Sequence, residues 1–122
     1  MSQHSIVHVD IPGIDPAAAS KFYADVFDWK IQVDPSVDYH MFQVESGPAG
    51  GFVKAGEPTM GYKAGEVLIY VSTDDIDATL AKVGKLGGKT LLPKTEIPQV
   101  GWFAFFADPT GNRIGLFTSL PH

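Results

Sequence analysis

Residues 15–23, DPAAASKFY, and residues 75–83, DIDATLAKV, carry nearly the same message sixty positions apart. Each follows an apolar, strand-like run: IVHVDI from Ile6 before the first, VLIYVS from Val67 before the second. Two strand-then-helix units at a fixed offset in one short chain indicate a duplicated module, and such repeats bury their apolar faces against a shared architecture. The reading is α+β, with tandem βαβββ modules forming a curved mixed sheet around a cleft.

Working outward, Ile6, Val9 and Ile11 mark a strand ended by Pro12-Gly13. Asp15 is then a helix N-cap with Pro16 at the first helical position, where the missing N–H is no loss. Ala19, Phe22, Tyr23, Val26 and Phe27 follow the i, i+3, i+4, i+7, i+8 pattern of a helix with one buried face. Strands are expected over 29–33 and 39–45. The run SGPAGG at 46–51 reads as a hairpin turn into Phe52-Val53. Residues 55–66, AGEPTMGYKAGE, are rich in Gly and Pro without a period and form the linker. Module one thus spans about 4–54 and module two about 66–120, within a single domain of residues 1–122.

The second module repeats the plan. A strand over 67–71 leads to a helix capped by Asp74 or Asp75, with Ile76, Leu80 and Val83 inward. Gly87-Gly88 supplies a left-handed stop. A strand over 89–92 follows, then a hairpin of 102–106 and 113–117 around Asp108-Pro109-Thr110-Gly111-Asn112, whose Pro, Gly and Asn suit a tight turn.

Composition excludes several functions. The chain has 122 residues and no Cys, so disulfides, thiolate catalysis and Cys-bound zinc are out. Its formal charge of −5 argues against nucleic acid as a partner, which needs a clustered basic face. No apolar run approaches a membrane span, and MSQHSIVHVD has no secretory pattern, so a soluble cytoplasmic protein with no membrane partner is expected.

The phrases FYADVFDW, DDIDATLAKVGKLGGK and FFADPTGNRIGLF resemble those of the vicinal oxygen chelate superfamily, which includes glyoxalase I, bleomycin-resistance proteins and extradiol dioxygenases. The similarity covers nearly the whole chain and is nearest to small bacterial proteins related to lactoylglutathione lyase. Such motifs identify a fold and separate its activities poorly. The resemblance implies four cleft positions supplying His, Gln or Glu to a divalent ion. Counting back seven residues from Asp15 and Asp75 puts two of them on His8 and Leu68, the strand after the DPTGN turn puts a third on Gly115, and the corresponding strand of module one puts the last on Gly50 or Gly51. Because a catalytic metal generally needs about three protein ligands, the expectation is no metal and no cofactor.

Alternation along the strands places His8 and Asp10 on the cleft side, an imidazole beside a carboxylate that would orient it for acid–base catalysis. They are the candidate catalytic residues, although His8 as a hydrogen-bonded core histidine is the competing reading. The same parity turns Tyr70, Phe103, Phe105, Arg113 and Phe117 toward a ligand, with Trp102 at the rim or, alternatively, a packing anchor. His40 is expected at the surface or between subunits, His4 and His122 in solvent, and Asp108 as a turn stabiliser. The functions left open are a lyase- or isomerase-like enzyme working without the usual metal, an antibiotic- or metabolite-sequestering protein of the bleomycin-resistance type, and a scaffold for a partner. The ligand class expected is a small apolar or aromatic molecule. A homodimer would cover the aromatics Phe52, Tyr62 and Trp102.

Overall fold

The structure, a computed structural model, describes residues 4–34, 39–56 and 62–120. The elements run β1 (Ile6–Gly13), α1 (Pro16–Phe27), β2 (Lys30–Asp34), β3 (Tyr39–Gln43), β4 (Ala49–Lys54), β5 (Leu68–Ser72), α2 (Ile76–Lys85), β6 (Lys89–Ile97), β7 (Gly101–Ala107) and β8 (Arg113–Ser119). This is the α+β, twice-βαβββ plan read from the sequence. Residues 57–61 of the linker and His122 lie outside the described residues. Among the described residues, no helix is long and apolar enough to cross a membrane.

Two compact units divide the chain, Val7–Leu68 and a second that joins the residues up to Ile6 with those from Ile69 onward. The described end of the linker, Tyr62 included, therefore belongs with module one. The N-terminal residues belong with module two, where the Ser72 N–H donates to the Ser5 carbonyl at 2.8 Å.

Module one orders its strands β2-β3-β4-β1, with β1 parallel to β4 and the other pairs antiparallel. Asp15 caps α1 by accepting from the Ala18 N–H at 3.1 Å. The periodicity points Phe22, Val26 and Phe27 inward, but the structure turns them out, at 60%, 53% and 56% exposure. The apolar arc is wider than one sheet contact can cover, and the docking of Tyr23 selects the face. Its ring packs on Phe52 of β4 and on Trp29, at centroid distances of 5.3 and 5.5 Å, and Trp29 stacks on Phe42 at 4.4 Å. Each such pair contributes about 0.5–1.5 kcal/mol beyond its area burial. The buried helix positions become Pro16 and Ser20, and the Ser20 hydroxyl is satisfied by the Ala17 carbonyl at 2.9 Å.

His40 is also a correction. It is buried on the helix side of β3, level with Phe52 of β4, because the strand's alternation gives the opposite face to Tyr39 and Met41. Phe52 and Tyr62 are likewise buried within the single chain, so neither needs a partner subunit to cover it.

Module two orders its strands β5-β8-β7-β6, with β5 parallel to β8. Asp75 caps α2, and Gly87, at φ +100°, ends it in the left-handed conformation. Ile76 and Leu80 pack on Ala104 and Leu116, with Val71, Trp102 and Phe106 around them. β6 is longer than the sequence suggests: it continues past Pro93 to Ile97, with register shifts between Thr90 and Thr95. A proline without an N–H is tolerated there because β6 is the edge strand.

Candidate functional site

The site in module one begins with the register of three strands. Asp10 on β1 lies level with Gly51 on β4, which lies level with Met41 on β3, so His8, Asp10, Gly51, Met41 and Tyr39 share the face opposite α1. The ambiguity between Gly50 and Gly51 at one family position resolves to Gly51 on this face.

Four polar side chains meet there. His8 Nε2 is 2.9 Å from Asp10 Oδ1 and 2.8 Å from the Tyr39 hydroxyl, and that hydroxyl donates to Asp10 Oδ1 at 2.9 Å. Tyr62 donates to the other carboxyl oxygen, Oδ2, at 3.2 Å. Asp10 is 3% exposed, whereas the His8 side chain keeps 33% of its surface. A bound molecule in this module would therefore meet the imidazole rather than the carboxylate.

Proton counting assigns the roles. Burial, and after it the adjoining Asp10 charge and hydrogen bond, raises the Tyr39 phenol well above its ordinary value of 10.0. Tyr39 is thus a protonated donor and is excluded as a base. With its proton on Asp10, its oxygen is left to accept, so His8 Nε2 must carry a hydrogen aimed at both neighbours. The lone pair of the neutral ring then resides on Nδ1.

Module two brings five of its six sequence-predicted residues onto one face. Tyr70, Gly115 and Phe105 are level across β5, β8 and β7, and Phe117 is level with Phe103. Phe105 packs against Tyr70 at 6.0 Å and Phe103 at 5.4 Å, and the Arg113 guanidinium sits 5.0 Å over its ring. Trp102 is the exception. Alternation puts it on the helix-covered face, against the α2 core with Lys94 over its ring, so it packs there, as the packing-anchor alternative has it, and does not share the face of the other five. Asp108 accepts from the Thr110 and Asn112 backbone N–H groups at 3.0 and 2.9 Å, which accounts for it as the organiser of its turn.

Tyr39 and Tyr62 are the functional candidates that sequence reasoning misses. Tyr62 sits in a segment with no period. Tyr39 carries one usable signal, a strand aromatic near a Gly-Gly pair on the neighbouring strand, where Gly51 leaves room for its ring.

The family model of the Glyoxalase/Bleomycin resistance protein/Dioxygenase superfamily matches residues 5–116. The chain belongs to that superfamily. Among its relatives, the "Glyoxylase-like domain-containing protein" of Didymella fabae is 32% identical over 116 residues, covering 90% of each chain. The Mycobacterium tuberculosis protein named "Putative glyoxylase CFP32" is 31% identical over 120 residues, 93% of this chain and 45% of that one. The chain thus spans about half the length of this mycobacterial relative. A superfamily member of known structure from Vibrio splendidus 12B01 shares the fold, with a TM-score of 0.69 at 13% identity, covering 95% of this chain and 99% of that one.

The superfamily's metal centre finds no fitting donor set here. In module one, His8 Nε2 is engaged as a donor, and Gly51 lies beneath the Tyr39 ring, where even a Cβ would overlap Cζ and Oη. In module two, Leu68 is apolar and buried, and Gly115 lies beneath the Tyr70 ring in the same way. Among the described residues, no group of three or more His, Cys, Asp or Glu is gathered to hold an ion. In each module, a tyrosine ring fills the space of the missing ligand.

Proposed function

We propose that this glyoxalase-superfamily protein binds a small apolar or aromatic metabolite and acts on it with lyase- or isomerase-type chemistry centred on His8, without a metal. The observation that carries this reading is the closed triangle of His8 Nε2, Asp10 Oδ1 and the Tyr39 hydroxyl, with all edges at 2.8–2.9 Å. It orients one partly exposed imidazole while the acid beside it is buried and locked. In the step envisaged, a C–H bond next to a carbonyl breaks, the proton passes to the His8 ring, and the electron pair moves onto the carbonyl oxygen. Return of the proton to the same carbon completes an exchange or epimerisation; in an α-hydroxy aldehyde its return to the former carbonyl carbon, with the hydroxyl proton passing to the enolate oxygen, completes an isomerisation. Imidazole suits this role because it gains and loses a proton near neutral pH. Without a Lewis acid to hold the enolate, the substrates favoured are those whose C–H is already acidified, such as 1,3-dicarbonyls and α-hydroxy aldehydes.

The test is exchange in D2O. Wild-type protein is incubated with a panel of such carbonyl compounds, and loss of the C–H signal is followed by NMR. His8→Asn should slow exchange by about 100-fold or more. Absence of exchange with every compound would sink the enzymatic reading.

A second reading, sequestration of a metabolite or antibiotic without turnover, is favoured by one observation. Asp10 receives three converging donors, an arrangement that rigidifies a pocket wall as well as it orients a base. It predicts saturable stabilisation by ligand with no exchange. A homodimer belongs to both readings and is supported by the exposed Phe22, Val26 and Phe27 of α1. Light scattering of wild type against Phe22→Ser/Val26→Ser decides it. A cytoplasmic setting is supported by the absence of cysteine.

A further inference from the structure

We infer that the β5–β8–β7 face of module two is a receptor for an aromatic carboxylate, with Arg113 as the anion anchor. The inference rests on the ligand-binding half of the reading above and specifies the ligand's charge and shape, but it involves module two alone.

The cations of this chain are distributed unevenly. Arg113 is its only arginine, and all eight lysines are exposed. Arg113 is instead half-buried on an aromatic face, its guanidinium 5.0 Å over Phe105. An ammonium is too strongly hydrated to rest against rings at low cost, whereas a guanidinium is weakly hydrated and presents five N–H donors. It can serve a ring and a carboxylate at once, and the bidentate pairing fixes the anion's orientation.

The apolar floor has a matching construction. Tyr70 and Phe105 are buried and form its base, and Tyr70 is seated on Gly115, where a side chain would displace the ring. Phe103 and Phe117, level with each other on β7 and β8, are partly exposed and flank that base. A planar ring stacks on such aromatics with little rotamer entropy to lose. A guanidinium beside a bed of four aromatic rings therefore selects a flat apolar body carrying one negative charge. The protein's net charge of −5 repels anions generally, so the attraction depends on this single local group.

The experiment is a backbone-amide NMR titration with benzoate, its uncharged counterpart benzamide, and non-aromatic cyclohexanecarboxylate. Benzoate should give saturable shifts clustered at Tyr70, Phe105, Gly115 and Phe117, with benzamide and cyclohexanecarboxylate each about tenfold weaker, a difference of about 1.4 kcal/mol. Arg113→Gln should remove the preference for benzoate over benzamide, and Arg113→Lys should restore part of it. Equal binding of benzoate and benzamide, shifts confined to module one, or no saturable shift would overturn the inference, and these comparisons stand on wild type even if a variant fails to fold. Absence of D2O exchange in wild-type protein that still binds benzoate would refute the catalytic reading alone.

Discussion

The ring of Tyr39 lies on Gly51, in the space that any side chain at that position would take, and its hydroxyl reaches from there to Asp10 at 2.9 Å. A glycine, a tyrosine and a buried carboxylate on three strands thus form one device. The glycine admits the ring, and the ring delivers the proton that the carboxylate needs.

Gly51→Ala should therefore damage a hydrogen bond that the glycine does not make. The new methyl must push the ring away, and overpacking of this kind costs about 1–3 kcal/mol. Urea unfolding should show that loss for Gly51→Ala, with Tyr39→Ala/Gly51→Ala far less destabilised than the sum of its single variants, since the two positions are in contact. Additive losses would disprove the coupling.

The alkaline limb of stability should carry the signature of Tyr39. Its folded-state value is raised above the unfolded 10.0, chiefly by burial and then by Asp10. The folded protein holds this proton when the unfolded chain releases it, so the contribution is complete below pH 10.0 and declines as pH rises beyond it. Tyr39→Phe should be less stable than wild type at neutral pH, by about 1–3 kcal/mol for the donor lost to a buried acid. Its midpoint in urea should then fall less steeply between neutral and strongly alkaline pH. Parallel profiles would contradict the assignment.

At the acid end, the turn over 108–112 should respond instead. Asp108 is held down to about 2, from an ordinary 3.8, first by the Asn112 backbone N–H and then by the Asn112 and Thr110 side chains. Its contribution is present above 3.8 and fades as pH falls through that value toward about 2. Asp108→Asn should lower the melting temperature at pH 7 and narrow the gap to wild type at the bottom of this window.

Removing Asp10 should cost more than removing any one of its donors. Asp10→Ala removes the acceptor shared by the Tyr39 and Tyr62 hydroxyls, each loss costing about 1–3 kcal/mol where the donor stays buried, and leaves His8 only its contact with Tyr39 in the triangle. Tyr62→Phe breaks only one of those bonds. Chemical denaturation should rank Asp10→Ala well below Tyr62→Phe, and the reverse order would show that the carboxylate is dispensable.

What the sequence by itself determined is local or periodic. Asp15 as a cap, a second cap at Asp74 or Asp75, Gly87 as a helix stop, the 108–112 turn and the alternation that pairs His8 with Asp10 all depend on neighbours within a few residues, where backbone geometry leaves few choices. The repeat at 15–23 and 75–83 then implied the architecture, because two copies of one local plan share one packing solution. Tertiary structure decided the rest. It chose Tyr23 over the wider apolar arc of α1, buried His40, sent Trp102 to the helix side, and allowed β6 to pass Pro93 at a sheet edge. Above all, it brought Tyr39 and Tyr62 to Asp10 across 29 and 52 positions of chain. No periodicity encodes such a meeting. It follows from strand register and from a buried carboxylate's need for donors, and both are settled only when the strands pair.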